Sequence, residues 1–183
     1  MDRINELYAG NPGSAEEHVT YVRKRFALDD VAKLDKAVLF GTEQTGRKML
    51  STLRGCGVQV AAFADNDCTK WGSSIDGLSV IPPNVIDPRQ PVIIASKYVR
   101  EINAQLKDMG ACRIIPHFVL TVLFPETFHN ILHEGAVGKI LDHEHEIDTV
   151  YELLADETSK DIFYQLLKFR FSLLPDDLPK VAT

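Results

Sequence analysis

Through the middle of the chain, short apolar runs alternate with amphipathic stretches, and each run is closed by a glycine, a proline or a cluster of acidic and amide residues. Ala37-Val38-Leu39-Phe40 is continuous and stops at Gly41, the pattern of a strand buried on both faces. A helix is expected from about Thr45, with Met49, Leu50 and Leu53 on one side and a stop at Gly55-Cys56-Gly57. Residues 58–63 read as the second strand, ending in Asp65-Asn66-Asp67. A tight-turn signal at residues 75–78 precedes a short strand, Ser79-Val80-Ile81, which Pro82-Pro83 closes. Residues 91–95 form another buried run, followed by a helix carrying Val99, Ile102 and Leu106 and stopped by Gly110. Arg113-Ile114-Ile115 is the last clear strand. Strands alternating with helices predict an α/β fold: a Rossmann-like, doubly wound, mainly parallel sheet with helices on both faces.

Helical patterns flank this region. Residues 1–36 read as an N-terminal helical segment, with a turn at Pro12-Gly13 and capping-box spacing from Ser14 to Glu17. Val19, Val22 and Phe26 then make one apolar side. From Glu126 the chain reads as helical again, with Ile147, Val150, Tyr151 and Leu154 at helical spacing. A final helix from about Lys160 carries two apolar rows, Ile162-Leu166-Phe169-Leu173 and Phe163-Leu167-Leu174. The expected organisation is therefore a helical segment (1–36), a Rossmann-like domain (37–125) and a C-terminal helical extension (126–183). So wide an apolar arc on the last helix calls for two neighbours, which points to self-association or docking onto a further domain.

Composition narrows the function. Of 183 residues, 45% are hydrophobic and 25% charged, so a packed core is expected. A net charge of −6 argues against nucleic acid as a partner, because neutralising phosphates needs a basic face. Cys56, Cys68 and Cys112 are odd in number and widely spaced, with no CxxC pair, so nothing suggests a disulfide framework or a cysteine-rich zinc site. Met1-Asp2-Arg3-Ile4-Asn5-Glu6 lacks the apolar core of a signal peptide. The longest mainly apolar stretch, residues 118–124, falls far short of the ~20 residues a membrane helix needs. A reducing cytoplasm and no membrane are expected.

The most informative segment runs from Val38 to Arg47. It keeps the first and third glycines of G-x-G-x-x-G as Gly41 and Gly46, while Glu43 holds the middle position where a pyrophosphate would approach the backbone. A carboxylate there favours the helix macrodipole and repels an anionic ligand. NAD or a nucleotide sugar is a candidate ligand, against an altered preference on a Rossmann-shaped scaffold. Asp65 ends the second strand, where an acid can accept from ribose hydroxyls, although Asp65 and Asn66 can equally cap the loop. Ser96 and Lys97 follow the 91–95 strand and His117 follows the last one, which brings them to the same carboxyl edge. The candidate binding residues are thus Gly41, Thr42, Glu43, Gln44, Thr45, Gly46, Asp65, Asn66, Ser96, Lys97 and His117. No catalytic set is selected by spacing. The His129/His133 and His143/His145 pairs form no H-E-x-x-H motif, and no metal site is expected.

Residues 37–83 resemble the N-terminal Rossmann-like domain of FkbM-type methyltransferases. The pieces that carry the resemblance are Val38-Leu39-Phe40-Gly41 with Gly46-Arg47, Phe63-Ala64-Asp65-Asn66-Asp67, Lys70-Trp71-Gly72 and residues 75–82. Residues 150–160, with Lys168-Phe169-Arg170, are similar to the segment that leads into the catalytic domain of that family. The resemblance implies S-adenosylmethionine and methyl transfer to a sugar-like hydroxyl, but through a domain expected to begin where this chain stops, at Val181-Ala182-Thr183. The leading expectation is accordingly a ligand-binding or docking module, not catalytic by itself. The alternatives are a stand-alone nucleotide-sugar or NAD-binding enzyme and a self-contained methyltransferase with Asp65 on the cofactor ribose.

Overall fold

The computed structural model describes residues 3–130 and 132–179. Met1 and Asp2, which opened the signal-peptide reading, and the chain end at Val181-Ala182-Thr183 lie outside the described residues. In chain order the elements are α1 (Arg3–Ala9), α2 (Ala15–Phe26), β1 (Ala37–Phe40), α3 (Gln44–Gly55), β2 (Val60–Ala64), β3 (Ser74–Ile75), β4 (Leu78–Ile81), β5 (Val92–Ile94), α4 (Val99–Asp108), β6 (Ile114–Pro116), α5 (His117–Leu123), α6 (Ala136–Asp142), α7 (Glu144–Leu153) and α8 (Glu157–Ser172). They divide into two compact units, residues 26–120 and residues 1–25 together with 121–183.

In the 26–120 unit, six strands form one sheet in the order β3-β4-β2-β1-β5-β6. β1 lies inside it, all four residues buried, and pairs in parallel with β2 (Phe40 opposite Ala64) and with β5 (Phe40 opposite Ile94). β2 pairs in parallel with β4, and β5 with β6. The one antiparallel pair is the β3–β4 hairpin, whose turn residues Asp76 and Gly77 have φ of 50° and 81°, the handedness a two-residue hairpin turn needs. The step from β1 to β2 runs one way along the sheet and the step from β5 to β6 runs the other. Right-handed crossovers then set α3 and α4 on opposite faces, as a doubly wound sheet requires. The link from β2 to β4 differs from the alternation expected: it carries a single 3-10 turn at Cys68–Lys70 and the β3 hairpin strand in place of an α-helix.

The turn from β1 into α3 sets how close helix and sheet come. Gly41 has φ +111°, and a Cβ on it would stand 2.8 Å from the Ala95 carbonyl oxygen. At Gly46, in the first turn of α3, a Cβ would lie 1.9 Å from the Gly41 carbonyl oxygen and 3.3 Å from a Phe63 ring carbon. No side chain fits there without moving the helix off the strand.

In the other unit, Ile4 and Leu7 of α1 pack with Val137, Tyr151, Leu167 and Phe171 in one buried cluster. The capping box at α2 is displaced by one residue: Ser14 Oγ accepts from Glu17 N–H at 3.1 Å, but the Glu17 carboxylate accepts from Gly13 N–H at 2.9 Å. α8 begins three residues before Lys160, because Asp156 caps it by accepting from Ser159 N–H at 2.8 Å. Its apolar arc is only partly covered. Leu167, Phe169 and Phe171 are buried, whereas Ile162 and Leu166 are each 42% exposed, and Leu174 lies beyond the helix.

Two glycines of α3 separate close packing from open space. Gly46→Ala is expected to cost at least about 2 kcal/mol through forced overpacking. Gly55→Ala, with nothing within 4 Å of the added Cβ, is expected to stabilise by about 0.5–1 kcal/mol. Urea unfolding of both variants checks this, and a Gly46→Ala midpoint equal to wild type would show that the close approach is not sustained.

Candidate functional site

A cleft of about 600 Å³ opens at the carboxyl ends of the parallel strands. Its wall is supplied by Phe40 and Gly41 after β1, by Asp65 and Asn66 after β2, and by Ala95 to Tyr98 after β5. From β1 the chain crosses to β2 on one side, and it later enters β5 on the other. The two following loops diverge at that point, which is where open α/β sheets form a crevice.

The electrostatics of one wall centre on Lys70. Its ammonium donates to Glu43 Oε1 at 2.9 Å, to Thr42 Oγ1 at 3.0 Å and to Asp65 Oδ2 at 3.1 Å. The hydrogen bond to Glu43 raises the Lys70 pKa, with Asp65 adding to it against the opposing effect of burial. Asp65 is bonded through both oxygens. Oδ2 accepts from the Thr42 hydroxyl and from Thr42 N–H at 3.3 Å, while Oδ1 accepts from Asp67 N–H at 3.0 Å. Burial works to raise the Asp65 pKa, but these bonds and the Lys70 charge outweigh it and hold the carboxyl below its ordinary value. Asp65 thus ties the loop after β1 to the end of β2.

Glu43 behaves differently from the expectation that its carboxylate sits over the helix dipole. It is the N-cap residue of α3, yet its side chain makes no capping hydrogen bond. The carboxylate, 84% exposed, turns to Lys70. An ammonium within hydrogen-bond distance offers a full charge, whereas the helix terminus offers about half of one.

Of the residues expected to bind, Gly41, Glu43, Gln44, Thr45, Asp65, Asn66, Ser96 and Lys97 all reach the cleft wall. The other three support it from outside that wall. Thr42 is 2% exposed and bonded to Asp65. Gly46 packs on the Gly41 carbonyl. His117 starts α5 with Nδ1 3.2 Å from the Ile94 carbonyl oxygen, so Nδ1 carries the proton there, and burial lowers the ring pKa. Sequence reasoning left out Lys70, Tyr98 and Glu101. Lys70 sits in the Lys70-Trp71-Gly72 motif, where its charge was the available signal. Tyr98 is 57% exposed, with Lys97 Nζ 5.0 Å from its ring centre. Asn66 spends its amide on a reciprocal pair with Gln105, at 2.9 Å each way.

The histidine pairs stand in other surroundings: His129 is 3.8 Å from Glu134, His143 is 3.6 Å from Glu146, and His133 Nδ1 accepts from Arg170. Among the described residues no three His, Cys, Asp or Glu side chains are grouped to hold a metal ion, and no helix is long and apolar enough to cross a membrane. Cys56, Cys68 and Cys112 are free and exposed.

Residues 33–115 match a protein family described as C2185-like, N-terminal. The fold matches the crystal structure of methyltransferase FkbM from Methylobacillus flagellatus KT, with a TM-score of 0.56 and 16% identity over 89% of this chain. The chain spans half the length of that methyltransferase. Comparison of the sequence with curated proteins found no match. The two matches bear out the resemblance read from the sequence, that of an N-terminal domain of this kind.

Asp65 supplies a pH test. Its folded pKa lies below the unfolded value of about 3.9, so its contribution is present above that value and is lost as pH falls through the folded pKa. Asp65→Asn is expected to be less stable than wild type at neutral pH and to lose less of its stability on acidification below about pH 4. Urea midpoints across that range decide it, and parallel acid limbs for the two proteins would contradict the assignment.

Proposed function

We propose that residues 26–120 are a small-molecule binding module of the kind that accompanies a methyltransferase domain, and that the ligand occupies the cleft between the loops after β1 and β5. The observation that carries this reading is the cleft's place at the divergence of those loops, framed by the Gly41–Gly46 turn. Its wall mixes Lys70 and Lys97 with Glu43, Asp65 and Glu101, and adds the exposed ring of Tyr98. Alternating charge of this kind suits hydroxyl groups, which both donate and accept, and an aromatic face suits the apolar side of a sugar or a base. The ligand class is accordingly a sugar, nucleoside or nucleotide sugar.

Methyl transfer, the activity of the matched methyltransferase, belongs in this reading to the half of that protein that the present chain does not cover. S-adenosylmethionine is then not the ligand of this cleft. Val150, Leu153, Ile162 and Leu166 expose apolar surface on α7 and α8, which supports docking of a further domain or a second copy there.

An NAD-dependent enzyme is the competing reading. Gly41 and Gly46 favour it. The Glu43–Lys70 pair opposes it, since it puts an exposed carboxylate at the pyrophosphate position. Titration calorimetry with a nucleotide sugar, NAD and S-adenosylmethionine separates the two. The proposal expects saturable binding of the nucleotide sugar, weakened at least tenfold by Ser96→Trp, which fills the cleft from the β5 side. Tight NAD binding would replace this reading with the oxidoreductase one, and binding of none of the three would remove the ligand class named here.

A further inference from the structure

A second cavity, of about 300 Å³, lies wholly within residues 1–25 and 121–183, and none of its wall residues belongs to the cleft. Its size is at the lower end of the range for small-molecule pockets. Arg170 of α8 stands on its wall. One guanidinium nitrogen, Nη1, donates to the Leu132 carbonyl and to His133 Nδ1 at 2.9 Å, and both acceptors are neutral. Among the described residues no carboxylate lies within 4.0 Å of the Arg170 guanidinium, whereas Lys168 on the same helix has Asp177 at 2.7 Å. Burial lowers the Arg170 pKa with no charge partner to offset it. A guanidinium keeps its proton even so, and a cation withdrawn from water is stabilised by an anion on its free donors.

Thr121 on the same wall is an independent observation. It is 3% exposed and lines the cavity. A hydroxyl both donates and accepts, so it can meet a ligand oxygen at that wall. Val19, Val122 and Leu173 add an apolar wall. The carboxylate that shares the cavity, Glu134, is placed 3.8 Å from His129 Nδ1.

We propose that this cavity binds a small oxyanion with an apolar body, its charged end held by the free donors of Arg170 and by the Thr121 hydroxyl. A carboxylate and a phosphate group share the required chemistry: two or more oxygens arranged to meet the planar fork of an arginine.

The test is an NMR titration of the full chain with sodium butyrate and, separately, with inorganic phosphate, each against sodium chloride at equal ionic strength. The expected result is saturable movement of the Arg170 side-chain signal and of the Thr121 and Gly135 amides with one of the two probes, at a Kd on the order of 1 mM. Butyrate alone identifies a carboxylate ligand, and phosphate alone a phosphate ester. Arg170→Gln should weaken binding at least tenfold, and Glu134→Gln should tighten it severalfold by removing the competing carboxylate. Ala136→Phe fills the cavity and leaves Arg170 in place, so its loss of binding decides the matter should Arg170→Gln fail to fold. Shifts that match those with chloride, or binding untouched by Ala136→Phe, would overturn the proposal.

Discussion

The first turn of α3 rests directly on the Gly41 carbonyl because Gly46 has only a hydrogen where another residue would place a Cβ 1.9 Å from that oxygen. This approach holds the loop after β1 against the sheet and leaves Gly41 N–H bonded to the Ala64 carbonyl at 2.8 Å. On the other side of β1, Ala95 N–H donates to the Phe40 carbonyl at 2.9 Å, continuing the β1–β5 ladder up to the edge of the cleft. Two neighbouring loops are thereby fixed by backbone bonds at their roots, and their side chains diverge around the space between them. The cleft follows from the strand order and one glycine.

Charge then gives that cleft its character. A Rossmann turn that receives a pyrophosphate keeps its backbone N–H groups accessible, with a glycine at the middle position of the motif. Here Glu43, Asp65 and Lys70 form a bonded group across the same turn, with Thr42 beneath it. The ammonium neutralises one carboxylate of the two, and Glu101 on α4 adds another on the cleft wall. The result accepts and donates in close alternation.

Much of this was legible in the sequence, and for physical reasons. Runs such as Ala37–Phe40 and Val92–Ile94 are apolar at every position because their strands are covered on both faces, and both appear as strands. Gly41 and Gly46 were legible because no other residue meets their steric demands. The direction of the Glu43 side chain was not, since it is decided by Lys70, 27 residues away, through a contact that only the folded sheet creates. The hairpin strand Ser74–Ile75 was missed because two residues carry no periodicity. α8 starts ahead of its apolar rows because Asp156, whose capping chemistry sets the boundary, precedes them. Arg170, His133 and Thr121 meet at one cavity from separate parts of the chain, and no local pattern announces that.

The turn after β1 is an integral part of the sheet, held by the Gly46 approach and the Asp65 bonds, and so presents a preformed cleft. Native-state hydrogen exchange at the Gly41 and Thr42 amides measures this directly. Both are expected to exchange only through global unfolding, with protection equal to that of Val38 and Ala95, whose amides donate to Pro91 and Phe40. Exchange of Gly41 and Thr42 many-fold faster than those strand amides, through local opening, would contradict it.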